Sequence, residues 1–525
     1  MRKRYLLLVL LVPLLLIIAG CGNRQNTSIL QYGSTKDIGD LNPHLYSGEI
    51  AAQNMLYQGL VQDVNGKIKP MLASKWVVSN DHKTYTFIIR KNVRFSNGDK
   101  LTSQDIKDNF DAILANKDRH DWMGLPNEIK SMEVPNSHTF ILNLKEPYYP
   151  TLTELSLTRP FRIIDPSSFK NGGTKDGVKS YVGTGPYTLK SYSRNKVAVF
   201  TVNKYYWGAK PKIKTVDWNV YTSTQSLYLA LKKGKIDLIY GSDGDQLSSD
   251  TFKALKHNSK FKVYMSKPNA SRSILLNTNR GVLKSLNVRK AVSMAVNKKK
   301  IVSGVLDNSE SVASTLLPKN SPYMSKIKLK STPYNPTKAK KLLEVAGWRV
   351  SKGSPYRKKN GKILELTFSI NKQNAQEEPI AEVVQANLKK IGIKVNIISE
   401  DKQAYLQRQK DGDFDMQYSL SWGAPYDPQT YLSSWRIAAH GDYQAQQGLA
   451  KKQWLDDEIG KALVSTSNEE RQKIYQEIMT YINDQYVYVP ISYSRTKAVA
   501  INDLKGIYFP TSQYEIPFSN MYIIK

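Results

Sequence analysis

Trp422 and Tyr426 stand on the stretch Trp-Gly-Ala-Pro-Tyr-Asp-Pro, where Gly423, Pro425 and Pro428 keep the backbone out of regular structure. Eighteen residues after Trp422 comes a lone histidine, His440, followed by Gly441 and Asp442. Two large aromatics on a loop can wall a pocket for a small, flat, partly charged ligand. An imidazole is a good donor to borderline divalent metals such as nickel, copper and zinc. A lone loop histidine is more often a surface residue, so residue type by itself does not decide between these readings.

The whole phrase says more. Trp-Gly-Ala-Pro-Tyr-Asp-Pro followed by His440-Gly-Asp-Tyr-Gln-Ala-Gln resembles the nickel-binding receptors of bacterial ABC nickel importers. Residues 72–106 resemble the signature of the wider group, the family 5 (peptide/nickel) extracellular solute-binding proteins. So do Gly183-Thr184-Gly185-Pro186-Tyr187 and the Asn203…Tyr206-Trp207-Gly208 phrase. The likeness runs from residues 36–43 to residues 515–518. It implies an α/β, two-lobed periplasmic-binding-protein-like fold of type II, with a hinge and a cleft that closes on its ligand.

The resemblance also implies roles for single residues. Trp122, Trp422 and Tyr426 would form aromatic walls, and Tyr46 matches a further cleft tyrosine. Arg159 would grip carboxylate through its fork of donors, and Arg119 would add positive potential. His440 would coordinate the metal. His120, in Arg119-His120-Asp121-Trp122, reads equally as a second imidazole or as a packing partner of Trp122.

One imidazole cannot hold a divalent metal tightly, because dedicated sites supply three or four donors. No second histidine lies within five residues of His440, and Asp442 need not point inward. The remaining donors are therefore expected from a small chelator carried with the metal, whose carboxylates would explain Arg159. The ligand type implied by the resemblance, nickel(II) wrapped by two L-histidines, fits this logic. There is one departure. Gln513-Tyr514 precedes Glu515-Ile516-Pro517 where the enterobacterial receptors have a small Ala-Thr pair. Receptors for opine-type metallophores share Gln513-Tyr514-Glu515 but generally lack the His440-Gly-Asp-Tyr-Gln-Ala-Gln phrase. The alternatives are thus a receptor for oligopeptides, or for an opine-type metallophore complex of nickel, cobalt or zinc.

The start of the chain reads as an export signal. Arg2, Lys3 and Arg4 precede an apolar run over residues 6–18, and Ile18-Ala19-Gly20-Cys21 resembles a lipobox. Residues 1–20 would be removed and Cys21, the only cysteine, lipidated. No disulfide or thiolate site is then expected in the remaining 505 residues. The protein is expected on the outer face of the cell membrane, tethered through residues 21–28. The expected partners are an ABC permease and its ATPase subunits, with the receptor a monomer. The net charge of +31 invites a nucleic-acid reading, but the lysines are dispersed and export argues against it. Such a surface suits anionic lipid and wall polymer. The chain lacks GxSxG, HExxH and an SxxK-plus-KTG set, so it does not read as an enzyme.

The elements that must position these residues alternate between strand and helix, as in α/β lobes. Residues 29–32 and 84–90 read as strands, and Asn97-Gly98 as a turn. Thr102 with Asp105 caps a helix. Residues 288–306 read as one long helix, and Asn335-Pro336 opens another that Gly347 ends. Helices are expected over 379–390 and 468–481, and a strand over 393–397. One lobe is expected to comprise residues 29–267 with a return segment at 492–525, and the other residues 268–491. The chain would cross between them near 266–269 and 490–493.

Overall fold

The computed structural model describes residues 26–241 and 246–524. The expected signal, Cys21 and residues 21–25 of the tether lie outside the described residues. Among the described residues no helix is long and apolar enough to cross a membrane.

Two large mixed sheets organise the chain. The first has seven strands in the order Tyr187–Ser193, Val197–Val202, Thr215–Val220, Ile29–Ser34, Leu238–Gly241, Lys497–Ile501, Phe261–Met265. The second has six: Ser311–Val312, Tyr488–Ser494, Ala270–Leu276, Met416–Leu420, Glu365–Asn371, Lys394–Glu400. A four-stranded antiparallel sheet, built from Ala73–Val78, Thr84–Ile89, Thr139–Leu144 and Ile129–Asn136, extends the first lobe. Its buried face carries Phe87 and Phe140, and their apolar cluster continues to Tyr426, Tyr431 and Trp435 of the second lobe. The two lobes are therefore in contact beside the loop that bears Trp422.

Local chemistry explains the elements nearest the cleft. Thr102 accepts from the Asp105 N–H, while the Asp105 carboxylate accepts from Thr102 N, closing a capping box on Ser103–Leu114. Asn335 caps Pro336–Val345, and Gly347 beyond it has φ +86°. The helix expected over 288–306 is broken. It runs over Leu286–Ala295, then Val296 turns extended and Asn297 begins a new short segment. The Asn297 side chain accepts from Lys300 N, and its own N–H donates to Asn387 Oδ1 at 3.0 Å. That capping competes with helix continuation and wins.

The chain passes from the first sheet to the second through 266–269. It returns at Arg495 and Thr496, not at 490–493, which lie inside the strand Tyr488–Ser494. Pro490 looks like a strand terminator, yet a register shift opposite it, between Arg272 and Ser273, accommodates its missing N–H. Beside this crossing lies a buried ion pair. Arg272 meets Glu310 through Nη2 at 2.7 Å and Nε at 3.1 Å, and Ser492 Oγ donates to the same carboxylate at 2.6 Å. Burial pushes the Glu310 carboxyl up, but Arg272 and Lys497 outweigh it and hold the group below its usual range.

Glu310→Ala should cost about 3–5 kcal/mol, because it strands a buried guanidinium. Urea denaturation measures this. A loss under about 1 kcal/mol would place the pair among weakly contributing contacts.

Candidate functional site

Arg159 follows the short helix Thr151–Ser156 and is held by the opposite wall of the first lobe. Its Nε donates to Gln53 Oε1 at 2.7 Å and its Nη2 donates to Gly48 O. The guanidinium carbon lies 6.0 Å from the centre of the Tyr46 ring. Burial lowers its pKa, opposed by Glu49, but a guanidinium stays charged at any physiological pH. Among the described residues it forms no ion pair. Arg159 lines a cavity of about 260 Å³ together with Tyr46, Glu49, Tyr514 and, from the second lobe, Lys402.

Tyr46 links this cavity to the aromatic residues. Its hydroxyl accepts from Trp122 Nε1 at 2.7 Å and lies 2.5 Å from His120 Nδ1. His120 is fully buried, and burial, helped by the Arg119 charge, takes its pKa from 6.5 to about 4. The imidazole is therefore neutral at pH 7. Its Nε2 has no protein partner. Arg119 itself is exposed on the turn Lys117–His120 and acts at a distance.

The rings then form a continuous cluster. Trp122 meets Tyr46 at 6.0 Å, Trp422 at 5.4 Å and Tyr426 at 6.3 Å between centroids. Trp422 meets Tyr426 at 6.0 Å and the His440 ring at 5.5 Å. Tyr514 closes against Tyr426 edge to face at 6.1 Å. The Trp422 loop is fixed from within. The Asp427 carboxylate accepts from Ser421 Oγ at 2.7 Å, and the Gln513 amide donates to Trp422 O at 3.0 Å. Gly423 has φ +75°, and a Cβ there would stand 2.5 Å from Asn269 O at the first crossing. Only glycine fits that approach.

His440 sits just before the helix Gly441–Gln446, half-buried behind Trp422. Burial lowers its pKa, with Asp442 opposing. Asp442 does point inward: Tyr431 and Tyr488 donate to its Oδ1 at 2.8 and 2.7 Å. Its carboxyl is raised by burial, and both hydroxyls are committed to it.

Of the residues singled out from sequence, Tyr46, Trp122, Trp422 and Tyr426 come together as one cluster. Arg159 and His440 lie at its two ends. They do not share a cavity, since Trp422 is packed against His440 and the Arg159 cavity is lined by neither. The link from His120 to Tyr46 and the place of Lys402 were not legible, because both are long-range. Asp427 had a local signal, an acid between Tyr426 and Pro428 in a loop, which sequence reading passed over. Among the described residues no group of three or more His, Cys, Asp or Glu side chains converges.

Residues 67–443 match the model of the bacterial extracellular solute-binding proteins, family 5. The chain is 40% identical over 491 residues to the nickel-binding periplasmic protein of Escherichia coli (strain K12), covering 93% of each. Its structure is similar to NikA from Brucella suis, solved in complex with Fe(III)-EDTA. The TM-score is 0.92 at 40% identity, covering 94% of this chain and 100% of that one. NikZ from Campylobacter jejuni, solved in complex with Ni(L-His), has the same fold. There the TM-score is 0.81 at 24% identity, covering 95% and 100% of the two chains.

The buried histidines set a pH dependence. Burial takes His44 to about 3 and His120 to about 4 from an ordinary 6.5. Below 6.5 the unfolded chain therefore binds protons that the folded chain does not, and stability falls with pH. The slope should be about 1.4 kcal/mol per pH unit for each histidine, ending near its folded value. Urea midpoints measured from neutral pH down to about 4 should show it, and His120→Gln should flatten the curve. An unchanged slope in that variant would mean that His120 titrates normally.

Proposed function

Because the chain belongs to family 5 of the bacterial extracellular solute-binding proteins, which are binding proteins and not enzymes, we propose that it is the receptor of an ABC importer for nickel held in a small-molecule chelate. The favoured cargo is nickel(II) with two L-histidines. The observation that carries this reading is an aromatic cluster with a neutral imidazole, His440, at one end and a buried, ion-pair-free guanidinium, Arg159, at the other. His440 is the one protein donor to the metal, and the chelator supplies the rest. Arg159 takes a chelator carboxylate through its fork, with Arg119 and Lys402 adding positive potential. Trp122, Trp422, Tyr426 and Tyr46 stack on the flat chelate. The kinship with the nickel-binding protein of E. coli and with NikA of B. suis supports a metal chelate as cargo.

In this reading Trp422 shifts away from Trp122 so that one ligand reaches both His440 and Arg159. The lobes, residues 29–267 with the return segment and 268–494, turn about the two crossings and close on the chelate. The receptor then delivers it to the permease and its ATPase subunits. Cys21 carries the lipid that keeps this monomer on the outer face of the membrane. A second reading, an opine-type metallophore complex of nickel, cobalt or zinc, is favoured by Tyr514 and Lys402 beside Arg159. Three cations on one cavity, Lys36, Arg159 and Lys402, against the single acid Glu49, suit a polycarboxylate chelator better than an oligopeptide.

Calorimetric titration of chelator-stripped protein should show tight nickel binding only when L-histidine is present. Full-strength binding of bare nickel would sink the chelate reading.

His440→Ala should weaken nickel–histidine binding by at least tenfold, about 1.4 kcal/mol, with an unchanged melting curve. Arg159→Ala should lose about 2–5 kcal/mol, and Arg159→Lys less, because lysine offers a point charge in place of a fork. A double-mutant cycle between the two should show coupling above the ~0.5 kcal/mol of independent sites. Additive losses would mean that the two residues do not act on one ligand.

A further inference from the structure

A second cavity lies on the far side of Tyr426. It measures about 350 Å³ and is lined by Asn54, Tyr57, Asp63, Arg162, Tyr426 and Glu515, among others. Tyr426 lines this cavity and Tyr514 lines the one at Arg159. Their edge-to-face contact forms the partition, and Ile516 reaches both sides.

Three polar groups on this lining are buried and have no protein partner: Arg162 Nη1, Asn54 Nδ2 and the Tyr57 hydroxyl. Arg162 is 3% exposed and Tyr57 1% exposed. The Arg162 guanidinium makes one long bond, Nε to Asn54 Oδ1 at 3.4 Å. Among the described residues no carboxylate pairs with it, although Glu515 acts on it electrostatically. A buried guanidinium without an anion is costly, and so is each orphaned donor. Glu515 and Asp63 lie on the same lining, and the Asp63 charge disfavours ionisation of Glu515. Burial raises the Glu515 carboxyl, and Arg162 pulls it back.

The cavity thus offers a permanent cation with two neutral donors, and two carboxyls, one of them within the field of Arg162, that form no ion pair among the described residues. A carboxylate alone answers only the first set, and an amine alone only the second. One small molecule carrying both groups answers both. We propose that this cavity binds the α-aminocarboxylate group of a small molecule, with Arg162, Asn54 and Tyr57 donating to the carboxylate and Glu515 accepting from the ammonium. Its volume falls within the range of small-ligand pockets, about 300–1,000 Å³. The group belongs either to a free amino acid or to the remote end of a chelator seated at Arg159. The second source rests on the chelate reading, and the first does not.

The test uses the full chain, freed of metal, titrated calorimetrically with glycine, L-alanine and L-glutamate. Acetate and methylamine serve as single-charge controls. At least one amino acid should bind saturably, about tenfold or more tighter than either control. Arg162→Gln should weaken that binding at least tenfold. Glu515→Gln, which keeps size and shape, should weaken amino-acid binding and leave acetate binding unchanged, and it carries the test if Arg162→Gln fails to fold. Repeating the titration with the nickel–histidine complex at saturation separates the sources. Simultaneous binding identifies a free amino acid, and mutual exclusion identifies the remote end of a chelator. The proposal is overturned if no amino acid binds up to about 10 mM, if acetate binds as tightly, or if both variants bind like wild type. Nickel–histidine titration of Arg159→Ala reports on the chelate reading alone, so the two can fail separately.

Discussion

The edge-to-face contact of the Trp122 and Trp422 indoles joins the lobes where the cleft would receive a ligand. Everything else at the site is arranged around it. Tyr46 holds Trp122 by its indole N–H, and Gln513 holds the backbone of Trp422. An aromatic pair contributes about 0.5–1.5 kcal/mol beyond its buried area. A ligand bound at micromolar affinity contributes about 8 kcal/mol. One such pair is small on that scale, so rings that touch each other are no bar to a guest between them.

Burial, more than any single charge, sets the protonation of the groups around this contact. It keeps His120 and His440 neutral, and it raises Asp427 and Glu154 to about 7. Each raised carboxyl anchors a loop. Asp427 accepts from Ser421, and Glu154 accepts from Tyr148 and from the N–H of Leu125, three residues beyond Trp122. Arg159 and Arg162 keep their charge under the same conditions, since a guanidinium cannot shed its proton at physiological pH. The cleft therefore carries positive potential over neutral imidazole, a combination suited to carboxylate-bearing ligands.

The parts of this arrangement that depend on local pattern were readable in advance. The Thr102 cap, the Asn335-Pro336 helix start and the irregular loop from Trp422 to Pro428 follow from residues within a few positions of one another. That Tyr46, Trp122, Trp422 and Tyr426 gather in one place was readable because four separate phrases match a family pattern in order. The break at Asn297 was hidden, because apolar spacing runs through it and only the tertiary bond to Asn387 reveals it. The second crossing was misplaced because a bulge at Ile491, on Pro490's own strand, lets that strand run on past the proline. The partnership of His120 with Tyr46 spans 74 residues, beyond the reach of any periodicity.

Gly423 ties two of these features together. Its missing side chain lets the loop that bears Trp422 rest directly on the carbonyl of Asn269, at the point where the chain changes sheet. There is no cushion of side-chain atoms between them to absorb a small rotation. The loop backbone and the crossing are therefore set against each other like a pointer on its axle: a rotation at the crossing would carry the loop that bears the indole with it. On the proposed reading, occupancy deep in the cleft would then change the outside of the molecule, where a membrane partner could tell a loaded receptor without touching its cargo.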